Sequence, residues 1–185
     1  MRCIRPASSA DLASVDAIYE HVHTAEAQGR AATGWVRGVY PTRATAEAAL
    51  ARGELFVLET EDGVAGAAIL NHRQLPCYAL GQWTADCAPE RVLVMHTLVI
   101  EPALSGHGLG SAFVRAYEDR AVALGCAALR MDTRETNLPA RALYRRCGFR
   151  EAGIVRDTFN GIPDVPLVLL EKALGKVSAA NIVCG

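Results

Sequence analysis

The sequence predicts a mixed α/β fold built around one central sheet. Segments with apolar residues at helical spacing alternate along the chain with short strand-like runs, and neither a repeat nor a low-complexity stretch interrupts them. Residues 91–100, RVLVMHTLVI, are apolar on both faces except at the middle, as a central strand covered by helices on each side would be. Glu61-Asp62-Gly63 separates ELFVLET from VAGAAILNH, which is a hairpin signal and sets two strands antiparallel. A chain of 185 residues suits one full-sized domain, expected over 1–173, with the small-residue stretch 174–185 expected as a mobile tail.

RCIRPA reads as a short first strand. Ser8 or Ser9 then caps a helix whose apolar positions Leu12, Val15, Ile18, Tyr19 and Val22 recur at helical spacing and which runs out near Gly29. TGWVRGVYPT carries Trp35, Tyr40, two glycines and Pro41 and reads as an aromatic loop. TRATAEAALARG is a short Ala-rich helix stopped at Gly53, followed by the hairpin. Residues 72–90 show neither period, and so long a loop is often functional; Tyr78 and Trp83 lie in it. After the central strand, Leu109, Ala112, Phe113, Ala116, Tyr117 and Leu124 mark a core-facing helix ended by Gly125. CAALRMD is a strand, NLPARALYRRCGF a short helix with Pro139 in its first turn, and two late strands lie around FREAGIV and VPLVLLEK.

Composition narrows the function. Nineteen Lys and Arg against twenty Asp and Glu give a net charge of -1, so no basic field draws in nucleic acid or an anionic membrane, and a small-molecule partner is the expectation. The N-terminus lacks the apolar run of a signal peptide and no stretch is long enough to span a bilayer, which makes a cytoplasmic location the expectation. The six cysteines form no C-x-x-C pair and read as reduced structural thiols. Cys77 and Cys87 with His72 and His96 can be drawn as a zinc site, but the irregular spacing argues against it, and no metal is expected.

HTLVIEPALSGHGLGSAFV, residues 96–114, passes from strand to helix through three glycines in five residues. Glycine permits positive φ, and a helix start presents unpaired N–H groups, so Ser105, Gly106, His107, Gly108, Leu109, Gly110 and Ser111 form a candidate anion cradle. A dinucleotide fingerprint would need its third glycine at Ser111, and a Walker loop would need a Gly-Lys-Ser/Thr ending that is absent.

From Leu98 through Phe149, LVIEPALSGHGLGSAFV followed by NLPARALYRRCGF resembles the GCN5-related N-acetyltransferase (GNAT) family, with its acetyl-CoA pyrophosphate loop and its Asn-x-x-Ala-x-x-Leu-Tyr-x-x-x-Gly-Phe helix. The resemblance implies an acyl-CoA N-acyltransferase fold with a mostly antiparallel sheet, and an enzyme that transfers acetyl directly from acetyl-CoA to an amine. One departure is Ser105, which stands where the family pattern has a long polar residue. Members of the family commonly form homodimers, although no feature of this sequence demonstrates one.

By resemblance, the backbone of Leu98, Val99 and Ile100 takes the pantetheine arm, Asn137 and Ala140 contact the same cofactor, and Tyr144 protonates the leaving sulfur. His96 is the first candidate for the base: an imidazole suits proton removal near neutral pH, and alternation places it on the face of Val94 and Leu98. Asp132, Glu135 and a water chain are the alternatives. Trp35, Tyr40, Tyr78 and Trp83 are the candidate walls of an acceptor pocket. A small amino acid-like amine is the expected acceptor. A peptide or protein N-terminus, or a non-catalytic acyl-CoA sensor on the same scaffold, are the other readings.

Overall fold

The computed structural model describes residues 2–159 and 161–175. Seven strands form one sheet: β1 (Cys3–Pro6), β2 (Leu55–Thr60), β3 (Gly63–Asn71), β4 (Val92–Ile100), β5 (Ala128–Arg134), β6 (Arg150–Phe159) and β7 (Ile162–Ala173), in the order β1-β2-β3-β4-β5-β7-β6. Every neighbouring pair is antiparallel except β4 and β5. Four helices flank it: α1 (Leu12–Ala27), α2 (Arg43–Ala51), α3 (Leu109–Ala123) and α4 (Leu138–Arg146). Among the described residues, no helix is long and apolar enough to cross a membrane.

Local chemistry sets the first helix. The Ser8 amide and hydroxyl both donate to Asp11 Oδ2, at 2.7 and 2.9 Å, which closes a reciprocal cap over the turn before α1. Arg5 of β1 grips the same carboxylate at 2.8 and 3.0 Å, so the cap also ties helix to strand. The expected stripe Val15, Ile18, Tyr19 and Val22 is buried against Val57, Ala67 and Ile69 of β2 and β3. On the opposite face, Phe113 and Tyr117 of α3 pack on Leu93, Met95, Leu129 and Met131.

No helix covers the first face beyond β4. Residues 72–90 do so instead, and the reading of Tyr78 and Trp83 as pocket walls is corrected here. Tyr78 is buried among Val92, Val94, Leu167 and Leu169, and Trp83 packs beside them with its Nε1–H donating to the Tyr78 carbonyl at 2.7 Å. A loop that stands in for a helix must bring its own apolar side chains, and these aromatics meet that need.

A buried ion network anchors the loop. Glu171 of β7, with a fully buried side chain, accepts the Thr84 amide at 2.7 Å and the Thr84 hydroxyl at 2.6 Å, and pairs with Arg130 at 3.2 Å and Arg150 at 2.9 Å. The Arg130 guanidinium lies 4.2 Å from the Trp83 ring centre and donates to Gln74 and the Ala85 carbonyl. Desolvation acts against the Glu171 charge, but hydrogen bonds from Thr84 and Arg150 outweigh it and hold the carboxyl below its ordinary value.

The late strands extend further than expected, to Phe159 and from Ile162. Of the tail, Leu174 donates its amide to the Ala127 carbonyl at 2.8 Å; residues 176–185, with Cys184, lie outside the described residues.

Because removing one partner of a buried pair leaves the other uncompensated, Glu171→Gln should cost about 3 kcal/mol in urea unfolding and deprotect amides of residues 76–85 to hydrogen exchange. Unchanged stability would show that the network does not hold the loop.

Candidate active site

The site begins where two strands part. The β4–β5 ladder joins Val92 to Ala128, Leu93 to Leu129 and Val94 to Arg130, and ends there. Beyond it β4 continues to Ile100 along β3, and β5 continues to Arg134 along β7. A wedge therefore opens between them, its backbone edges free on the inner side.

β4 also carries a bulge. His96 pairs with Ile69 and Val99 with Ala67, so three steps along β4 match two along β3. Thr97 takes up the extra residue at φ 54°, a left-handed conformation that a β-branched residue rarely adopts. Before the bulge Met95 faces α3; after it Leu98 and Ile100 face that side, while Val99 packs with α1. His96 thus shares its face with Val94 and Val99 and not with Leu98, which corrects the expectation from simple alternation.

Three cavities meet at this wedge. A chamber of about 100 Å³ lies between β4, β5, β7 and the loop of residues 33–40. It shares Leu98, Ala140 and Tyr144 with a groove of about 510 Å³ that runs along β4 to the glycine turn. On its other side it shares Tyr40, His96 and Phe159 with an outer groove of about 400 Å³. The chamber thus adjoins both grooves through shared walls.

Trp35 and Tyr40, expected as walls, line the chamber and meet edge to face with centroids 5.9 Å apart. Their loop is pinned at both ends of its first turn. Glu26 of α1 accepts the Thr33 and Gly34 amides at 2.8 and 2.9 Å, and Arg134 donates to the Gly34 carbonyl at 3.1 Å. Gly34 sits at φ 67°, a left-handed conformation that favours glycine, and the Arg134 side chain occupies the space where a Cβ would project. The Tyr40 hydroxyl bonds Thr97 Oγ1, and burial pushes that phenol up to about 12.

Asp132 is the carboxylate of the chamber. Tyr78 reaches it from behind, donating its hydroxyl to Oδ1 at 2.8 Å. Desolvation raises the Asp132 carboxyl from 3.8 to about 6, since one neutral donor offsets only part of the burial and Asp157 adds like charge. His96 moves the other way. Its Nε2 lies 3.2 Å from both Asn71 Oδ1 and the Arg73 carbonyl, so Nε2 carries the proton, and burial lowers the imidazole from 6.5 to about 4. Tyr144 lines both chamber and groove, its phenol raised well above the ordinary value by burial and next by the Asp132 charge.

Leu98, Val99, Ile100, Ser105, Gly106, Gly108, Leu109, Gly110 and Ser111 all line the long groove. Gly106 and Gly108 sit at φ 83° and 75°, with nothing within 4 Å of where a Cβ would project. His107 turns away: its Nδ1 faces the Leu104 and Ser105 carbonyls at 3.2 and 3.0 Å. Asn137 caps α4, its Oδ1 accepting the Ala140 amide at 3.3 Å, and also lines the chamber.

The family profile described as Acetyltransferase (GNAT) family matches residues 18–149. The chain belongs to the GNAT acetyltransferase family. It is an N-acetyltransferase with acetyl-CoA as donor. Among solved structures, a GNAT acetyltransferase from Streptococcus agalactiae is 19% identical with a TM-score of 0.80, over 95% of this chain and 96% of that one. The ribosomal-protein-S18-alanine N-acetyltransferase of Escherichia coli is 20% identical with a TM-score of 0.64, over 100% of both chains. YncA of Salmonella typhimurium, solved with its cofactor acetyl-CoA, is 22% identical with a TM-score of 0.65, over 99% of both chains. At such identities these similarities speak to the fold. No curated protein sequence matches significantly.

The groove of this GNAT chain fits acetyl-CoA by its own chemistry. Amides at the start of α3 and the open glycine turn suit a pyrophosphate, and the free edge of β4 suits an amide-bearing arm. Sequence reasoning missed the part played by Thr97, Arg134 and Phe159. The bulge at Thr97 leaves no signature in hydrophobic pattern, and Arg134 and Phe159 reach the chamber only through strand pairing distant in sequence.

Asp132 has a raised carboxyl, so folding binds its proton and stability falls as pH rises from the ordinary carboxyl range through about 6. Asp132→Asn keeps an acceptor for Tyr78 without the charge. It should unfold at higher temperature than the wild type at pH 8, by on the order of 3 kcal/mol, with the gap closing as pH falls below 6. Equal melting at pH 8 would show that the carboxylate is not held against its charge.

Proposed function

We propose that this enzyme acetylates the primary amine of a small amino acid-like molecule, with Asp132 as the base and Tyr144 as the acid. The observation that carries the reading is the placement of one carboxylate, with a pKa near 6, in a small chamber between the donor groove and an open outer groove. The backbone of Leu98, Val99 and Ile100 would hold the pantetheine arm, and the turn from Ser105 to Ser111 the pyrophosphate. Bound there, acetyl-CoA supplies an acetyl group activated as a thioester.

The residues divide the remaining work. A neutral amine is needed for attack, and Asp132 near neutral pH is largely ionised yet basic enough to accept the amine's proton. With Oδ1 engaged by Tyr78, Oδ2 is the oxygen left for the acceptor. His96, near 4, is a far weaker base, and its hydrogen bonds give it the role of holding β4 to the Asn71–Arg73 corner. Tyr144 keeps its phenolic proton at neutral pH and is the donor on the sulfur side. Trp35, Tyr40 and Phe159 give the chamber aromatic walls. Its small volume favours a small amine over a protein N-terminus.

Release of coenzyme A thiol across amino acids, polyamines, aminoglycosides and short peptides tests the reading. Turnover confined to amino acid-like amines is expected, whereas cofactor binding with no release from any amine would identify a sensor.

The pH dependence should follow Asp132: kcat/KM rises as the carboxylate forms through about pH 6 and then levels, and Asp132→Asn loses that limb with about a 100-fold drop in kcat. A wild-type limb retained in the variant would remove Asp132 as base.

Tyr144→Phe should lower kcat by about tenfold or more while the acetyl-CoA Kd, measured by calorimetry, changes less than about twofold. Unaltered turnover would remove the acid role.

A further inference from the structure

We infer that the acceptor carries a carboxylate or similar anionic group, and that the outer groove binds it through Arg52 and Arg73. The inference rests on the proposed reading, in which the amine end reaches Asp132. The groove shares Tyr40, His96 and Phe159 with the chamber, so an acceptor that reaches Asp132 from this side would leave its non-reacting part in the groove.

The charges of that groove are unequal. Its charged lining consists of Arg52 and Arg73; the other polar groups are the neutral Tyr40, Thr45, Asn71 and Gln74 and the imidazole of His96, which is uncharged at neutral pH. Both guanidiniums lean on one carboxylate. Arg52 Nε donates to Glu54 Oε2 at 2.9 Å, Arg73 donates to the same oxygen, and Asn71 Nδ2 joins them at 3.2 Å. Two cations against one anion leave a net positive charge. Glu54 is only 17% exposed while Arg52 and Arg73 are 41% and 58% exposed, so it is the guanidiniums that face solvent and ligand.

Arg134, the cation inside the chamber, is already committed to the Gly34 carbonyl and packed under that loop. The chamber therefore balances the Asp132 carboxylate against an Arg134 held at the loop, while the outer groove carries the excess of positive charge. A molecule with an amine at one end and an anion at the other matches that order, while a polyamine would set its second cation against Arg73. Guanidinium pairs with carboxylate through parallel hydrogen bonds, which adds orientation to attraction.

The test compares acceptors that differ only in this group: an amino acid that is turned over, its amide and the corresponding decarboxylated amine. The acid should be preferred by about tenfold or more in kcat/KM. Arg73→Gln should raise KM for the acid by about tenfold with kcat retained, leave KM for the amide unmoved and leave the acetyl-CoA Kd unmoved. Glu54→Gln should lower KM for the acid. The inference is overturned if amide or plain amine serves as well as the acid, or if neither Arg73→Gln nor Arg52→Gln moves KM. Acetyl-CoA binding without acetylation of any amine would overturn instead the transferase reading beneath it, so the two failures are distinct.

Discussion

The arrangement of this molecule depends on a ladder that stops after three residue pairs. β4 and β5 are the one parallel pair in the sheet, and they separate because each has a stronger allegiance elsewhere. β5 pairs antiparallel with β7 along its whole length from Ala128 to Arg134, and β4 pairs with β3 from Asn71 back to Gly66. Tyr117, fully buried on α3, sits at the point of separation, its hydroxyl 2.6 Å from the Leu93 carbonyl and 3.0 Å from that of Arg130. Its one proton is shared between two main-chain carbonyls at the last rungs of the ladder. Backbone groups further along the free edge need a partner or water, and that need makes the edge of β4 a binding surface for a ligand with amides of its own.

The bulge at Thr97 adds the second requirement. Without it, Leu98 would fall on the face opposite Met95, and the stretch that lines the long groove would point toward α1. One inserted residue restores Leu98 and Ile100 to the α3 side and leaves His96 on the other. The left-handed backbone of a threonine is unfavourable by itself, and the Tyr40 hydroxyl bonded to Thr97 Oγ1 is a compensating contact that also holds the aromatic loop over the chamber.

Such features explain what the sequence made legible. The helices, the hairpin and the glycine turn follow from local periodicity and backbone preference, so Val15, Ile18 and Tyr19, the Glu61-Gly63 turn and the Ser105–Ser111 loop stand where their spacing implies. The face of His96 was illegible because period-two reasoning has no term for an inserted residue. Tyr78 and Trp83 were misplaced for another reason: an aromatic loop can wall a pocket or complete a core, and only the missing helix over β5, β7 and β6 decides it. Asp132 at the end of CAALRMD stands in the sequence only as one alternative to His96, because nothing local shows that Tyr78, 54 positions earlier, is brought against it.

Arg130, Asp132 and Arg134 occupy alternate positions of β5 and so one face of the sheet, yet each is balanced differently. Arg130 has the carboxylate of Glu171, Arg134 has a carbonyl, and Asp132 has a phenol. A cation beside Asp132 would hold its carboxyl low and make it a poor base, whereas no donor at all would leave it protonated. A neutral hydroxyl gives the intermediate value. That hydroxyl belongs to the same irregular loop that Glu171 fastens at Thr84 and Ala85, so the buried ion network sets where Tyr78 stands. Loosening the loop would therefore change the basicity of a carboxylate it touches at a single atom, which couples the stability of one side of the sheet to the proton affinity of Asp132 at its centre.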